Sequence, residues 1–200
     1  MFSVGVKLGK GGSWWIAIGF FLLTAAPGMW YPALPNILKA QGIEWVLPYA
    51  FAVGPLASLF SPLIFGSMAD YRFSAQKLVG TLSLLGAGFL GMAFYSLYMG
   101  WGAWWYVGFQ VLNALLGAPM WSLVSTVTLA NVDNAQKKFP LFRVWGSVGW
   151  VIAGLLVSWM GWDSSPLAGI AAAGIRVIFG LSCYMMPDTP PQGKLESGKP

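Results

Sequence analysis

Six apolar runs, each long enough for one membrane crossing, divide this chain of 200 residues. A helix needs about 20 residues to cross roughly 30 Å of hydrocarbon. The runs cover approximately Trp14–Leu38, Trp45–Ala69, Leu78–Tyr98, Trp104–Ala130, Leu141–Met160 and Pro166–Met186. Each is continuous rather than alternating, so the pattern predicts helices and not the strands of a membrane barrel. The expected fold is therefore all-α, a polytopic membrane protein whose six-helix bundle occupies residues 14–186. Residues 1–13 precede it, and a polar tail at 187–200 follows.

Composition excludes the alternatives. Only 8% of residues are charged and 57% are hydrophobic, against about 25% and about 45–50% in soluble domains. An aromatic content of 16% excludes disorder. One cysteine, Cys183, cannot staple a disulfide scaffold, and histidine is absent. No metal site and no cofactor are expected from such a donor set.

The net charge of +5 does not point to nucleic acid, because Lys137-Lys138 is the densest basic group. The basic residues occupy gaps between apolar runs, where membrane topology predicts them. With both termini in the cytoplasm, Lys7, Lys10, Arg72, Lys77, Lys137, Lys138, Lys194 and Lys199 lie inside, and Arg143 lies near that boundary. Only Lys39 is then outside. Trp14, Trp15, Trp45, Trp101, Trp104, Trp105, Trp159 and Trp162 fall near the expected helix ends, as interfacial anchors do. The first run is too long for a signal-peptide core. The tail PDTPPQGKLESGKP reads as a solvated cytoplasmic linker, and so as the end of the first part of something longer.

The first run holds Ala26-Pro27-Gly28-Met29-Trp30 and the fourth holds Gly117-Ala118-Pro119-Met120-Trp121. This recurrence, three spans apart, predicts two inverted three-helix repeats with a broken helix in each. Gly146, Gly149 and Gly154, with Ser147 and Ala153, are expected to let helices approach closely.

The fifth run places Arg143, Ser147 and Trp150 at i, i+4 and i+7, on one helix face. A guanidinium offers a planar fork of five donors, suited to hydroxyls and carbonyls. Ser147 adds a hydroxyl, and Trp150 adds a wall on which a base or sugar ring can stack. The competing reading is an Arg143 that snorkels to the interface and a Trp150 that faces lipid. Gln110, Asn113, Ser122, Ser125, Thr126 and Thr128 in the fourth run, and Tyr31 and Asn36 in the first, are further polar candidates. Most of these are expected to glue helices together; Gln110, Asn113 and Tyr31 are kept as substrate contacts. Arg176 sits mid-span, where an arginine costs about 2.5–3.5 kcal/mol. It is expected to face the bundle interior or a partner surface.

Two motifs carry a resemblance. Gly66-Ser67-Met68-Ala69-Asp70-Tyr71-Arg72, followed by Lys77, lies between the second and third runs. It resembles the loop signature of the major facilitator superfamily. Lys138-Phe139-Pro140-Leu141-Phe142-Arg143-Val144-Trp145-Gly146-Ser147-Val148-Gly149-Trp150, together with Phe73-Ser74-Ala75-Gln76-Lys77-Leu78 and Pro187-Asp188-Thr189-Pro190-Pro191, is similar to the nucleoside:proton symporters within it. The resemblance covers the amino-terminal six-helix half of a family member. It implies half of a major facilitator fold in a bacterial inner membrane, with a nucleoside and protons as transported partners and Arg143, Ser147 and Trp150 lining the cavity. Gly66, Asp70, Arg72 and Lys77 are implied to form a gate latch. The remaining half, or a second copy, is the implied protein partner.

The Arg-x-Trp-Gly-x-x-Gly-Trp run is also similar to oligosaccharide:proton symporters, so a sugar or other organic-solute carrier is the first alternative. A non-transporting six-helix protein that binds a partner or dimerises is the second. No Asp or Glu lies clearly inside any run, so a proton carrier is not evident in this chain. An enzyme is not expected, for want of a nucleophile–base set.

Overall fold

The structure, a computed structural model, describes residues 10–71 and 73–191, with the side chains of all but 10–13, 62–63 and 66–71 among them. The helices are α1 (Lys10–Trp30), α2 (Leu34–Ala40), α3 (Leu47–Tyr71), α4 (Ala75–Tyr98), α5 (Ala103–Gly117), α6 (Met120–Asn131), α7 (Ala135–Trp159) and α8 (Leu167–Cys183). A short 3-10 turn, Glu44–Val46, leads into α3. No strand occurs among the described residues. Helices α1 and α2 form the first span, and α5 and α6 the fourth. Among the described residues, Trp14–Ala40, Ala75–Tyr98, Ala103–Asn131 and Ala135–Trp159 are long and apolar enough to cross a bilayer. Helix α3 is 25 residues long, and α8 is 17, the short end of the range of about 17–25 for a spanning helix.

Span pairing follows an internal symmetry. The main interfaces are α1 with α7, α4 with α8, α4 with α5, α1 with α8, and α3 with α5. Exchanging spans one with four, two with five and three with six maps this set onto itself. The one–five contact becomes four–two, one–six becomes four–three, and three–six is unchanged. Three crossings separate each pair of equivalent spans, so they run in opposite directions. That is the arrangement of two inverted three-helix repeats.

Small residues set the closest crossings. A Cβ on Gly149 would overlap the backbone of Phe21, and one on Gly28 would lie 3.0 Å from the Trp150 carbonyl oxygen. Helices α1 and α7 therefore pack backbone to backbone, as small residues permit in a bilayer. The Thr24 hydroxyl donates across this seam to the Gly146 carbonyl. Gly80 and Gly180 form the matching seam of α4 and α8, each about 3 Å, as a built Cβ, from the other's carbonyl oxygen. Gly154 takes no part, since nothing lies within 4 Å of a side chain started there.

The structure corrects three expectations. The fourth span breaks at Ala118–Pro119, as the motif predicts, but the first does not break at Pro27. Pro27 lies inside α1, and its carbonyl accepts from the Tyr31 N–H at 2.9 Å. One internal proline removes a single ladder bond, which a helix held between α7 and α8 tolerates. The break falls at Tyr31–Ala33, where Pro32 follows at once and Pro35 occupies the first turn of α2. Second, the fifth helix opens at Ala135 rather than near Leu141. Asn134 adopts a left-handed conformation at φ 52°, and its carbonyl accepts from Lys137 and Lys138 N–H. The polar opening turns continue the helix, so Arg143 lies about two turns inside it.

Third, the start of the tail is docked rather than solvated. Thr189 is buried. Its N–H donates to Gln76 Oε1 at 2.9 Å, its carbonyl accepts from Ala75 N–H at 3.0 Å, and its hydroxyl accepts from Asn131 Nδ2 at 2.7 Å. Gln76 Nε2 in turn donates to Asp188. The segment after α8 thus ties the start of α4 to the end of α6. Residues 192–200 lie outside the described residues.

At the opposite end, α2, α4 and α7 stop in the same way. Gly42, Gly100 and Gly161 take φ of 69°, 68° and 67°, and the next residues, Ile43, Trp101 and Trp162, donate back to Leu38, Ser96 and Val157. This is the Schellman termination that glycine favours. Six of the eight expected tryptophan anchors are exposed, while Trp15 and Trp162 are half-buried.

Candidate functional site

A groove lined by α1 and α3 to α8 runs as three adjoining cavities. The first, of about 340 Å³, is lined by Thr24, Trp121, Arg143, Ser147 and Trp150 among others. The second, of about 410 Å³, shares Thr24, Trp121 and Trp150 with it and adds Trp30, Asn113 and Arg176. The third, of about 280 Å³, shares Trp30, Asn113 and Arg176 with the second and reaches Tyr31, Phe51 and Gln110. These sizes bracket the lower end of small-molecule sites, about 300 Å³ upward.

The structure brings Arg143, Ser147 and Trp150 together around the first cavity. All three are exposed on α7. They face Trp121 of the broken fourth span, whose ring lies 5.4 Å from the Arg143 guanidinium carbon. That cation–π contact orients the fork while leaving its N–H donors free to take a polar solute. Trp121 is held edge-on by Phe20, at 5.7 Å between ring centroids. Its place in the repeat motif marks it in the sequence, but nothing in the chain order marks it as Arg143's neighbour.

Tyr31 stands at the break of the first span. Its ring packs edge-on against Phe51 at 5.1 Å and lies 6.4 Å from Trp150. The break, rather than a continuous helix, puts this ring at the mouth of the groove.

Gln110 and Asn113 are buried, and they belong to a polar ladder up one face of α5. Gln110 Nε2 donates to the Tyr106 hydroxyl at 3.1 Å, and Asn113 Nδ2 donates to Gln110 Oε1 at 2.7 Å. Arg176 Nη1 then donates to Asn113 Oδ1, and Arg176 Nη2 lies 3.7 Å from Met120 Sδ. Residues 106, 110 and 113 are spaced i, i+4 and i+7, a pattern that marks Tyr106 as part of the set. Arg176 is directed into the bundle, and its guanidinium sits between two glycines. A Cβ on Gly86 would overlap it, and one on Gly117 would lie 3.3 Å from Nη2.

Most of the fourth span's hydroxyls do not glue helices. Ser125, Thr126 and Thr128 donate to carbonyls four residues back in α6, at 2.8, 3.1 and 2.8 Å. A helix interior offers this local acceptor to every Ser and Thr, and here it outcompetes a neighbour. Of the latch residues, Lys77 is exposed in the first turn of α4. Gly66 and Asp70 lie in the part of α3 whose side chains are outside the described residues, and Arg72 is itself outside them.

Six bundled helical spans in inverted repeats, two of them broken beside an aromatic and arginine-lined groove, define half of a major facilitator fold. Two crystal structures of the nucleoside transporter NupG share this fold, at TM-scores of 0.80 for a substituted variant and 0.78, covering 93% and 94% of this chain, and 47% and 46% of theirs, at 21% and 22% identity. The family model for the nucleoside H+ symporter matches residues 15–198, and the chain belongs to that family. The putative nucleoside transporter YegT of Escherichia coli is 29% identical over 182 residues, which are 84% of this chain and 41% of that protein. The nucleoside permease NupG of Escherichia coli is 26% identical over 188 residues, 88% and 40% respectively. A maltose permease of Geobacillus stearothermophilus is 29% identical over 150 residues, 70% and 35% respectively. The chain thus spans about two-fifths of the length of the nucleoside carriers it matches.

Proposed function

We propose that this chain forms one half of the translocation path of a nucleoside:proton symporter, with Arg143, Ser147 and Trp150 receiving the nucleoside. The observation that carries the proposal is the cavity in which a cation, a hydroxyl and two indole rings converge, in a chain of this family. A ribose offers hydroxyls to the guanidinium and to Ser147, while a base stacks on Trp150 or Trp121. Gln110 and Asn113 contact the solute deeper in the same groove, and Tyr31 contacts it at the mouth. The exposed face of α7 meets the complementary six helices, or a second copy, which close the path. Both termini lie in the cytoplasm in this reading, which the distribution of basic residues supports, and Gly66, Asp70, Arg72 and Lys77 latch that side. The acidic residues of this chain are Glu44, Asp70, Asp133, Asp163, Asp188 and Glu196, none in mid-span. Proton carriage therefore falls to the complementary half.

Equilibrium binding of radiolabelled uridine to the chain in nanodiscs tests the proposal. Saturable binding, displaced by unlabelled uridine and not by maltose, is expected. Displacement by maltose alone turns the reading to the sugar carriers, which the maltose permease relative favours. Absence of binding to either solute overturns it. Uridine uptake into vesicles holding the complementary half, with and without a pH gradient, tests the coupling.

A further inference from the structure

The buried arginine is not explained by ribose recognition at Arg143. Arg176 lies near the middle of α8 with 9% of its surface exposed. None of the chain's carboxylates lies in mid-span beside it. Its partners are neutral, the Asn113 side-chain amide oxygen and the weakly accepting Met120 sulfur, and Nε has no partner among the described residues. Ionisable groups in a membrane interior are otherwise found paired or lining a wet path, because an uncompensated charge there is costly.

The site is built for the guanidinium all the same. Gly86 and Gly117 leave it the room that any side chain would take. Asn113 is held in place by Gln110, and Gln110 by Tyr106. Two cavities, of about 280 and 410 Å³, adjoin on Arg176 and Asn113, with Trp30 lining both. A planar cationic fork, an aromatic ring and open volume together fit one ligand chemistry. It is a flat ring system whose edge carries delocalised negative charge.

Resting on the nucleoside reading above, we infer that Arg176 and Asn113 form a second subsite that takes the anionic edge of a nucleoside base, an ionised imide or a ring carboxylate. This subsite favours nucleosides with acidic bases over neutral ones. Arg143 holds the ribose and does not discriminate between them. The same guanidinium fits a carboxylate side chain from a complementary six-helix half, and the test separates the two sources.

The test compares uridine with 5-fluorouridine, near-isosteric nucleosides of which the second loses its imide proton at lower pH. Binding of each to the chain in nanodiscs is measured below and above the pH at which 5-fluorouridine ionises. Equal affinities are expected when both are neutral. A preference of about tenfold for 5-fluorouridine is expected once it is ionised, the scale of one charge-assisted hydrogen bond. Arg176→Gln removes that preference, while Arg176→Lys keeps part of it. A pH-independent ratio, or a preference that survives Arg176→Gln, overturns the inference while leaving the nucleoside reading intact. Loss of all uridine binding in the unsubstituted chain is the separate failure of that reading. A preference present in the chain alone and absent when the complementary half is co-expressed assigns the anion to that half and overturns the subsite.

Discussion

Arg143 and Arg176 line the same groove and live under opposite conditions. Arg143 is exposed on α7, about two turns from the helix start, over the face of Trp121. Arg176 is buried in α8 between two glycines, with an amide and a thioether for partners. An exposed guanidinium keeps its hydration and costs the fold little, so its position reports on what it binds. A buried one must be accommodated by every neighbour, so its neighbours report on it. The two arginines teach where a membrane-spanning bundle can place charge: at a rim beside an aromatic ring, or inside a pocket whose backbone was cleared for it.

The difference is broken most directly at Asn113. Asn113→Leu removes the one amide acceptor of Arg176 and leaves the cation facing a sulfur. A loss of about 1.5–3 kcal/mol in stability is expected, the scale for a hydrogen bond to a charged group. Adding Arg176→Leu should recover most of it, because the penalty lies in the orphaned charge and not in the lost amide. Thermal unfolding of the two single variants and the double variant measures the coupling. Additive losses would mean that Asn113 and Arg176 act separately, and the contrast with Arg143 would fail.

Arg143→Ala is the complementary substitution. Uridine binding should weaken by about ten- to a hundredfold, the loss of one or two charge-assisted hydrogen bonds. Stability should stay within about 0.5 kcal/mol, as at other exposed positions. A variant that melts early, or binds normally, would place Arg143 with the structural arginine instead.

The spans and the second helix break were legible because each depends on residues adjacent in the chain: run length, continuity, and Pro119 beside Gly117 and Ala118. The candidate groove was legible in part for the same reason, since Arg143, Ser147 and Trp150 share one helical face. What was not legible depends on distant partners. Trp121 meets Arg143 only because α6 and α7 pack together. Arg176 finds Asn113 across 63 positions of sequence. The first break moved from Pro27 to Tyr31–Ala33 because the outcome depends on what supports the helix around each proline, and not on its presence. The tail reads as polar linker in any local window, yet Gln76 and Asn131, from two different helices, bind Thr189.

That docked tail supplies a control for both arginines. Thr189→Val keeps the side chain's size and its backbone bonds, and it removes the acceptor for Asn131 Nδ2. The same hydroxyl also donates to the Pro187 carbonyl at 3.2 Å, so a loss of about 1–3 kcal/mol in stability is expected from these two neutral hydrogen bonds. Uridine binding should not change, because the site lies at the far end of α6 from Trp121. A binding defect there would mean that the groove's shape depends on how that end of the bundle is tied, and Arg143→Ala could no longer be read as a local effect.

Trp121 sharpens the comparison last, since it lines both the cavity of Arg143 and the adjoining one that reaches Arg176. Its contact with Arg143 is a cation–π pair near solvent, worth about 0.5–1 kcal/mol. Trp121→Leu should therefore weaken uridine binding by about two- to fivefold, and Trp121→Phe by less, because a ring face remains. The preference for an ionised base should survive both, because no contact joins Trp121 to the Arg176 guanidinium in the described hydrogen bonds and ring contacts. If Trp121→Leu instead erased that preference and left uridine affinity alone, the indole would be orienting the base toward the buried arginine. The groove would then act as one continuous site rather than as two.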